Sequence, residues 1–177
     1  MTRSVYTVAK ENVSATLTVA VTAASVFAVL ADPTTHSAID GTGWVTEAVD
    51  RAPLTELGQI FRMDMYHPNH PNGDYQVANK VQVLDPPRAI GWLTGQEKDD
   101  GHLEFGGWIW RNDLAPLGPS ETAVTLTYDW SAVPQSVREY IQFPPFGPEH
   151  LTNSLDHLAE LAAPTSPAWT PEVVRKC

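Results

Sequence analysis

The sequence contains one cysteine, Cys177, and it is the last residue of the chain. A single cysteine forms no disulfide within a chain, so we expect the fold to be independent of an oxidising compartment. No apolar run approaches the roughly 20 residues of a membrane-spanning helix. The first residues also lack the long apolar segment of a secretion signal. These absences predict a cytoplasmic protein with no stable membrane insertion.

Positive charge is scarce as well. The chain has 11 Lys and Arg against 21 Asp and Glu, which gives a net charge of -10. Nucleic acids and anionic membranes attract clustered Lys and Arg side chains, and the sequence contains no such cluster. We therefore expect no nucleic-acid partner.

Common catalytic and cofactor motifs are missing too. The sequence has neither a Gly-x-Ser-x-Gly nucleophile turn nor a Gly-rich phosphate loop followed by lysine. His67 and His70 share one loop, but a metal site needs three or four ligands and no third one is indicated. The sequence thus predicts no metal and no cofactor, and it identifies no catalytic residue.

Several segments alternate apolar and polar residues at a period of two, which is typical of half-buried strands. They are separated by short turns rich in Gly, Pro, Asn and Asp, as expected for an antiparallel meander. The predicted strands cover residues 13–21, 44–49, 58–66, 75–84, 89–96, 107–114 and 122–130.

Helices are predicted in three places. A helix over 23–31 follows the first strand, and Asp32-Pro33 begins a second short turn. A short helix is predicted over 136–141, and a long one over 148–163, in which Leu151, Leu155 and Leu158 form one apolar stripe. At 177 residues the simplest organisation is one domain over 1–163, followed by a Pro-rich tail over 164–177 without periodicity.

The chain resembles the START-like SRPBCC (helix-grip) superfamily, in particular its polyketide cyclase/dehydrase and lipid-transport branch. The segments that carry the resemblance are Phe27-Ala-Val-Leu-Ala-Asp-Pro33, Val81-Gln-Val-Leu-Asp-Pro-Pro-Arg-Ala-Ile-Gly-Trp92, Trp108-Ile-Trp110, Thr122-Ala-Val-Thr-Leu-Thr-Tyr-Asp-Trp130 and the C-terminal Leu-rich helix. The resemblance implies an α+β fold: a curved antiparallel sheet of about seven strands wrapped around a long C-terminal helix, with two short helices after the first strand.

Such a sheet can enclose an apolar cavity against its helix, and alternation indicates which side chains face it. The alternative is that the same side chains fill an ordinary core. We predict ligand contacts from Val77, Asn79, Val81, Trp92, Trp108, Trp110, Asn112, Leu126, Tyr128, Leu151, Ser154, Leu155 and Leu158.

Four of these residues carry polar groups that a ligand could satisfy: Asn79, Asn112, Tyr128 and Ser154. Each could equally pair with the backbone or with a trapped water. Any such partner avoids the cost of about 1–3 kcal/mol for leaving a buried polar group without a hydrogen bond. We expect at least one of the four to contact ligand.

The remaining histidines are expected near the cavity or on the surface. His36 and His102 lie in predicted loops at the pocket rim. His150 and His157 lie seven residues apart on one flank of the last helix, too far apart to chelate one ion. His157 is interpreted as a surface residue, with an inward acid or base role as the alternative. The loops after Asp32 and Phe143 are expected to gate the pocket.

The sequence is compatible with three functions. The first is binding of a small apolar or amphipathic molecule, such as a lipid, polyketide or aromatic metabolite. The second is a cofactor-independent cyclase, aromatase or dehydratase that uses the same pocket, with Tyr128 paired to Asn79 or to a rim histidine. The third is an interaction module, which would expose an apolar patch instead of enclosing a cavity. The protein could be a monomer or a homodimer.

Overall fold

The computed structural model describes residues 4–164, and its main element is one eight-stranded, curved antiparallel sheet. The strand order is β1-β2-β8-β7-β6-β5-β4-β3, so β3 to β8 form a meander that closes onto the N-terminal hairpin. The strands are β1 Val5–Val8, β2 Asn12–Val19, β3 Val45–Ala48, β4 Ile60–Tyr66, β5 Asp74–Asp85, β6 Ala89–Glu97, β7 Leu103–Gly118 and β8 Glu121–Asp129.

The helices lie between β2 and β3 and after β8. They are α1 Ala23–Leu30, α2 His36–Ile39, α3 Gln135–Arg138 and α4 Glu149–Ala162, with a 3-10 turn at Pro33–Thr35. Thr22 accepts a hydrogen bond from the backbone N–H of Ser25, and Asp32 accepts one from Thr34, so both begin their elements as N-caps. The predicted order of two short helices, a six-stranded meander and a long C-terminal helix is therefore confirmed, but two strands and not one precede the helices.

One strand was missing from the sequence prediction. The resemblance implied about seven strands, and the sheet has eight because β1 pairs with β2 at its edge. Val5 and Val8 are 64% and 66% exposed, and β1 is only four residues long. A segment this short and this exposed shows no burial pattern of its own, so only its pairing with β2 defines it.

Packing of α4 on the sheet forms the core. The apolar stripe of α4 is buried at Leu151, Leu155, Leu158 and Ala162, and the helix packs against β2, α1 and α2. Burial along β8 alternates at every second residue, as the sequence predicted. Register shifts between Val81 and Val83 and between Leu93 and Gly95 interrupt β5–β6 and β6–β7. Such bulges bend strands, which helps the sheet to curve around the helix.

No helix within residues 4–164 has the length and apolarity needed to cross a membrane. Nearly all of the predicted Pro-rich tail, including Cys177, lies outside the described residues.

Candidate functional site: an aromatic cavity between the sheet and the C-terminal helix

The sheet and α4 enclose a cavity of about 640 Å³. This volume falls within the range of roughly 300–1,000 Å³ found for small-molecule sites. The walls come from β4 to β8, from α2 and the loop after it, from α4, and from the connection between α3 and α4.

Most of the residues predicted to contact a ligand line this cavity. They are Val77, Asn79, Trp92, Trp108, Trp110, Asn112, Leu126, Tyr128, Ser154, Leu155 and Leu158. Val81 and Leu151 do not line it, because they are buried in the core at 1% and 0% exposure. Alternation and helical spacing identify the inner face of an element, but they do not show how far along that face the cavity extends.

Two of the predicted polar anchors already have protein partners. The Oδ1 atom of Asn79 accepts a hydrogen bond from Thr94 Oγ1 at 2.8 Å. The Ser154 hydroxyl oxygen accepts one from the backbone N–H of Gly41 at 3.0 Å. Ser154 therefore ties α4 to the loop after α2, in addition to lining the cavity.

The other two anchors differ in this respect. Asn112 and Tyr128 are 3% and 2% exposed and line the cavity without hydrogen bonds, among the described residues, of the kind that hold Asn79 and Ser154. Burial raises the pKa of Tyr128, so its phenol stays protonated and can donate. Both side chains line the cavity and leave polar groups available inside it.

His36 was expected in a rim loop, and this prediction was wrong. It lies in α2, is 8% exposed, and forms part of the cavity wall. Its Nε2 lies 2.8 Å from the carbonyl oxygen of Leu30, so Nε2 carries the proton, and its ring stacks on Trp92 at 4.9 Å. Burial lowers the pKa of His36, which keeps the imidazole neutral near pH 7.

His150 is among the cavity residues that the sequence analysis did not identify, as are Trp44, Met63, Met65, Tyr75 and Phe146. It lies in the first turn of α4, is 7% exposed, and contacts Phe146 and Trp110 with ring-centre distances of 4.7 and 5.4 Å. Burial lowers the pKa of His150, although the negative charges of Asp40 and Glu149 oppose this shift. A sequence signal was available: His150, Ser154 and Leu158 recur at intervals of four residues and so share one helical face.

His67, in the loop after β4, also lines the cavity, whereas His157 and His102 do not. His157 is half-buried and its Nδ1 lies 3.1 Å from the carbonyl oxygen of Ile39. His102 is exposed in the turn between β6 and β7, where Asp100 and then Glu104 raise its pKa through hydrogen bonds. The predicted position of His102 outside secondary structure is correct, but its side chain does not line the cavity.

One side of the cavity is covered by the connection between α3 and α4. Phe146 stacks on Trp110 at 5.5 Å and contacts the ring of Tyr128 at 5.0 Å. Phe143 contacts Trp108 at 6.1 Å. The connection thus places two aromatic rings against the aromatic side chains of β7 and β8.

Charged groups are few along the wall. Lys98 is the one lysine or arginine lining the cavity within the described part of the chain, and its Nζ lies 3.1 Å from Glu104 Oε2. Across residues 4–164, the His, Cys, Asp and Glu side chains form no group of three or more that could hold a metal ion.

Comparison with known proteins adds two kinds of relative, although no protein-family model matches the chain. The uncharacterized protein Rv0088 of Mycobacterium tuberculosis is 30% identical over 132 residues, which make up 75% of this chain and 53% of that protein. The chain therefore spans about half the length of the curated relatives it matches.

Solved structures with the same fold cover nearly the whole chain. A solution structure of a protein from Arthrobacter aurescens superposes with a TM-score of 0.64 at 13% identity and covers 98% of each chain. Truncated norcoclaurine synthase from Thalictrum flavum superposes with a TM-score of 0.56 at 14% identity, over 91% of this chain and 96% of that one. The sheet, the C-terminal helix and these superpositions agree that the chain has a helix-grip fold.

Proposed function

We propose that this protein binds a small apolar or amphipathic molecule in the cavity between the sheet and α4. The observation that carries the proposal is the cavity itself, about 640 Å³ in volume and walled mainly by aromatic and aliphatic side chains. A filled core would leave no such space, and an interaction module would place its apolar surface outside.

The polar groups inside the cavity support an amphipathic ligand. Asn112 and Tyr128 place an amide and a phenol hydroxyl in the cavity wall. A few well-placed polar groups in an apolar pocket are the usual means of orienting a small molecule. One norcoclaurine synthase structure among the relatives contains a transition-state analogue, so this fold binds a small molecule in that protein.

Native mass spectrometry of gently purified full-length protein tests the proposal. We expect a discrete additional mass that disappears on denaturation, or, if the ligand is lost in purification, saturable binding of the neutral dye Nile red. A bare protein mass together with no dye binding would contradict the proposal.

A catalytic use of the same cavity is the second candidate. His150 is buried with a lowered pKa, Asp40 lies 3.7 Å behind its Nδ1, and Tyr128 supplies a hydroxyl in the same cavity. A neutral imidazole and a phenol can move protons during enolisation, so the cavity suits a cofactor-independent cyclase, aromatase or dehydratase.

The effects of His150→Gln and Tyr128→Phe on turnover and on affinity for the co-purified molecule distinguish the two candidates. An enzyme converts the molecule or its precursor, and these substitutions lower the rate constant more than the affinity. A binding protein returns the molecule unchanged, and the substitutions alter only affinity.

A further inference from the structure

A buried polar cluster joins α4 to the loop after α2 at one end of the cavity. It consists of Asp40, His150 and Ser154, which we call the α4 cluster. The Nδ1 atom of His150 lies 3.7 Å from Asp40 Oδ1 and 3.5 Å from Ser154 Oγ. All three side chains line the cavity, and all three are nearly excluded from solvent.

The loop fixes the carboxylate of Asp40. Its Oδ1 accepts hydrogen bonds from the backbone N–H and the hydroxyl of Thr42 at 3.2 and 2.9 Å. Its Oδ2 accepts one from the backbone N–H of Val45 at 2.9 Å. These hydrogen bonds hold the Asp40 carboxylate in place beside His150.

This arrangement determines which nitrogen of His150 is available to a ligand. The Asp40 carboxylate lies on the Nδ1 side of the ring, and a negative charge there favours the tautomer with the proton on Nδ1. Nε2 then carries the lone pair. His150 lines the cavity, no hydrogen bond within residues 4–164 involves its Nε2, and Trp110 and Phe146 contact its ring.

The charges around the cavity disfavour an anionic ligand. Asp40 contributes a negative charge without a lysine or arginine beside it, and Lys98 is already paired with Glu104. The chain as a whole carries a net charge of -10. A carboxylate in this cavity would have to be desolvated without a counter-charge, which is costly.

We propose that the α4 cluster anchors an uncharged, hydroxyl-bearing cyclic ligand, whose O–H donates to Nε2 of His150 while Trp110 and Phe146 contact its ring. The inference deepens the proposed function and rests on it. It assigns a class of ligand, phenol-like or alcohol-bearing ring compounds, and it excludes fatty acids and other carboxylates.

Three probes that share one ring system test the inference by calorimetric titration of the full chain: 2-naphthol, 2-methoxynaphthalene and 2-naphthoate. We expect 2-naphthol to bind most tightly. The methyl ether cannot donate and should bind at least fivefold more weakly, and the carboxylate at least tenfold more weakly.

Variants of His150 identify the acceptor. His150→Leu keeps the apolar contacts but removes the lone pair, so the preference for 2-naphthol over its methyl ether should fall to less than twofold. His150→Gln can place an amide oxygen near the former Nε2 position and should retain part of the preference. If His150→Leu does not fold, the wild-type probe series and His150→Gln still test whether His150 accepts the hydrogen bond from the ligand.

The outcomes separate the two proposals. Equal binding of naphthol and its ether, or tightest binding of naphthoate, would overturn the assigned anchor while leaving the cavity as a binding site. Binding of none of the probes, with no binding of Nile red, would overturn the proposed function and the anchor together.

Discussion

Gly41 lies so close to His150 that a Cβ atom at this position would be 2.3 Å from the His150 carbonyl oxygen and 3.0 Å from its Nδ1. The two residues are far apart in sequence but form the contact that joins the loop after α2 to α4. Glycine is required here for close approach of the backbone and not for an unusual backbone angle.

Gly41→Ala should therefore destabilise the protein by about 1–3 kcal/mol, because the added methyl group forces the loop and α4 apart. Urea unfolding measures the change. Gly118→Ala is the matched control, since no atom lies within 4 Å of its added Cβ, and it should change stability by less than about 0.5 kcal/mol. Equal effects of the two substitutions would contradict the close contact.

Stability should fall on acidification. Burial lowers the pKa of His36 and of His150 below the usual histidine value of about 6.5. Below about pH 6.5 the unfolded chain binds protons that the folded protein does not, so the unfolded state gains stability as the pH falls. Each histidine lowers the free energy of unfolding by up to about 1.4 kcal/mol for each pH unit of acidification. This decrease continues until the folded-state pKa of that histidine is reached.

Unfolding titrations between pH 5 and 8 isolate this effect when the wild type is compared with the His36→Gln/His150→Gln double variant. The variant should lose stability less steeply below pH 6.5. His102→Asn is a control of opposite sign, because Asp100 and Glu104 raise the pKa of His102 and protonation there favours the folded state. Its removal should abolish the stability that the wild type gains from His102 as the pH falls towards about 6.5, so the two curves differ in slope above that pH. Parallel curves for all three proteins would refute the assignment.

Phe146 should control exit from the cavity. Its ring contacts Trp110, Tyr128 and His150, so it covers one side of the cavity from the connection between α3 and α4. Phe146→Ala should raise the dissociation rate constant of Nile red at least fivefold in stopped-flow measurements, because it opens this cover. Tyr140→Ala, in the same connection but 88% exposed, should leave the rate unchanged. A slower or equal rate for Phe146→Ala would place the exit elsewhere.

Strand alternation and the Leu stripe predicted most of the sheet, the last helix and about a third of the residues that line the cavity. The prediction of these lining residues was correct because they face one side of a regular sheet: Leu126 and Tyr128 on β8, and Trp108 and Trp110 on β7. The alternation is a local property that packing on one face imposes on the sequence.

The α4 cluster could not be predicted in the same way. Asp40 follows a helix of only four residues, α2, which is too short to show periodicity. Its contact with His150 depends on how the loop after α2 meets α4, and no local pattern encodes such a long-range contact. The boundary between core and cavity, which excludes Val81 and Leu151, is likewise set by tertiary packing.

The central claim is that the cavity binds ligand, and filling it tests this most directly. Val77 on β5 lines the cavity, whereas the adjacent Gln76 is exposed on the other face of the same strand. Nile red titrations of the wild type, Val77→Trp and Gln76→Trp would be compared, with unfolding curves to confirm that each protein is folded. We predict that Val77→Trp weakens binding at least tenfold and that Gln76→Trp binds as the wild type does. Undiminished Nile red binding by a folded Val77→Trp variant would contradict the claim that the ligand binds in the cavity.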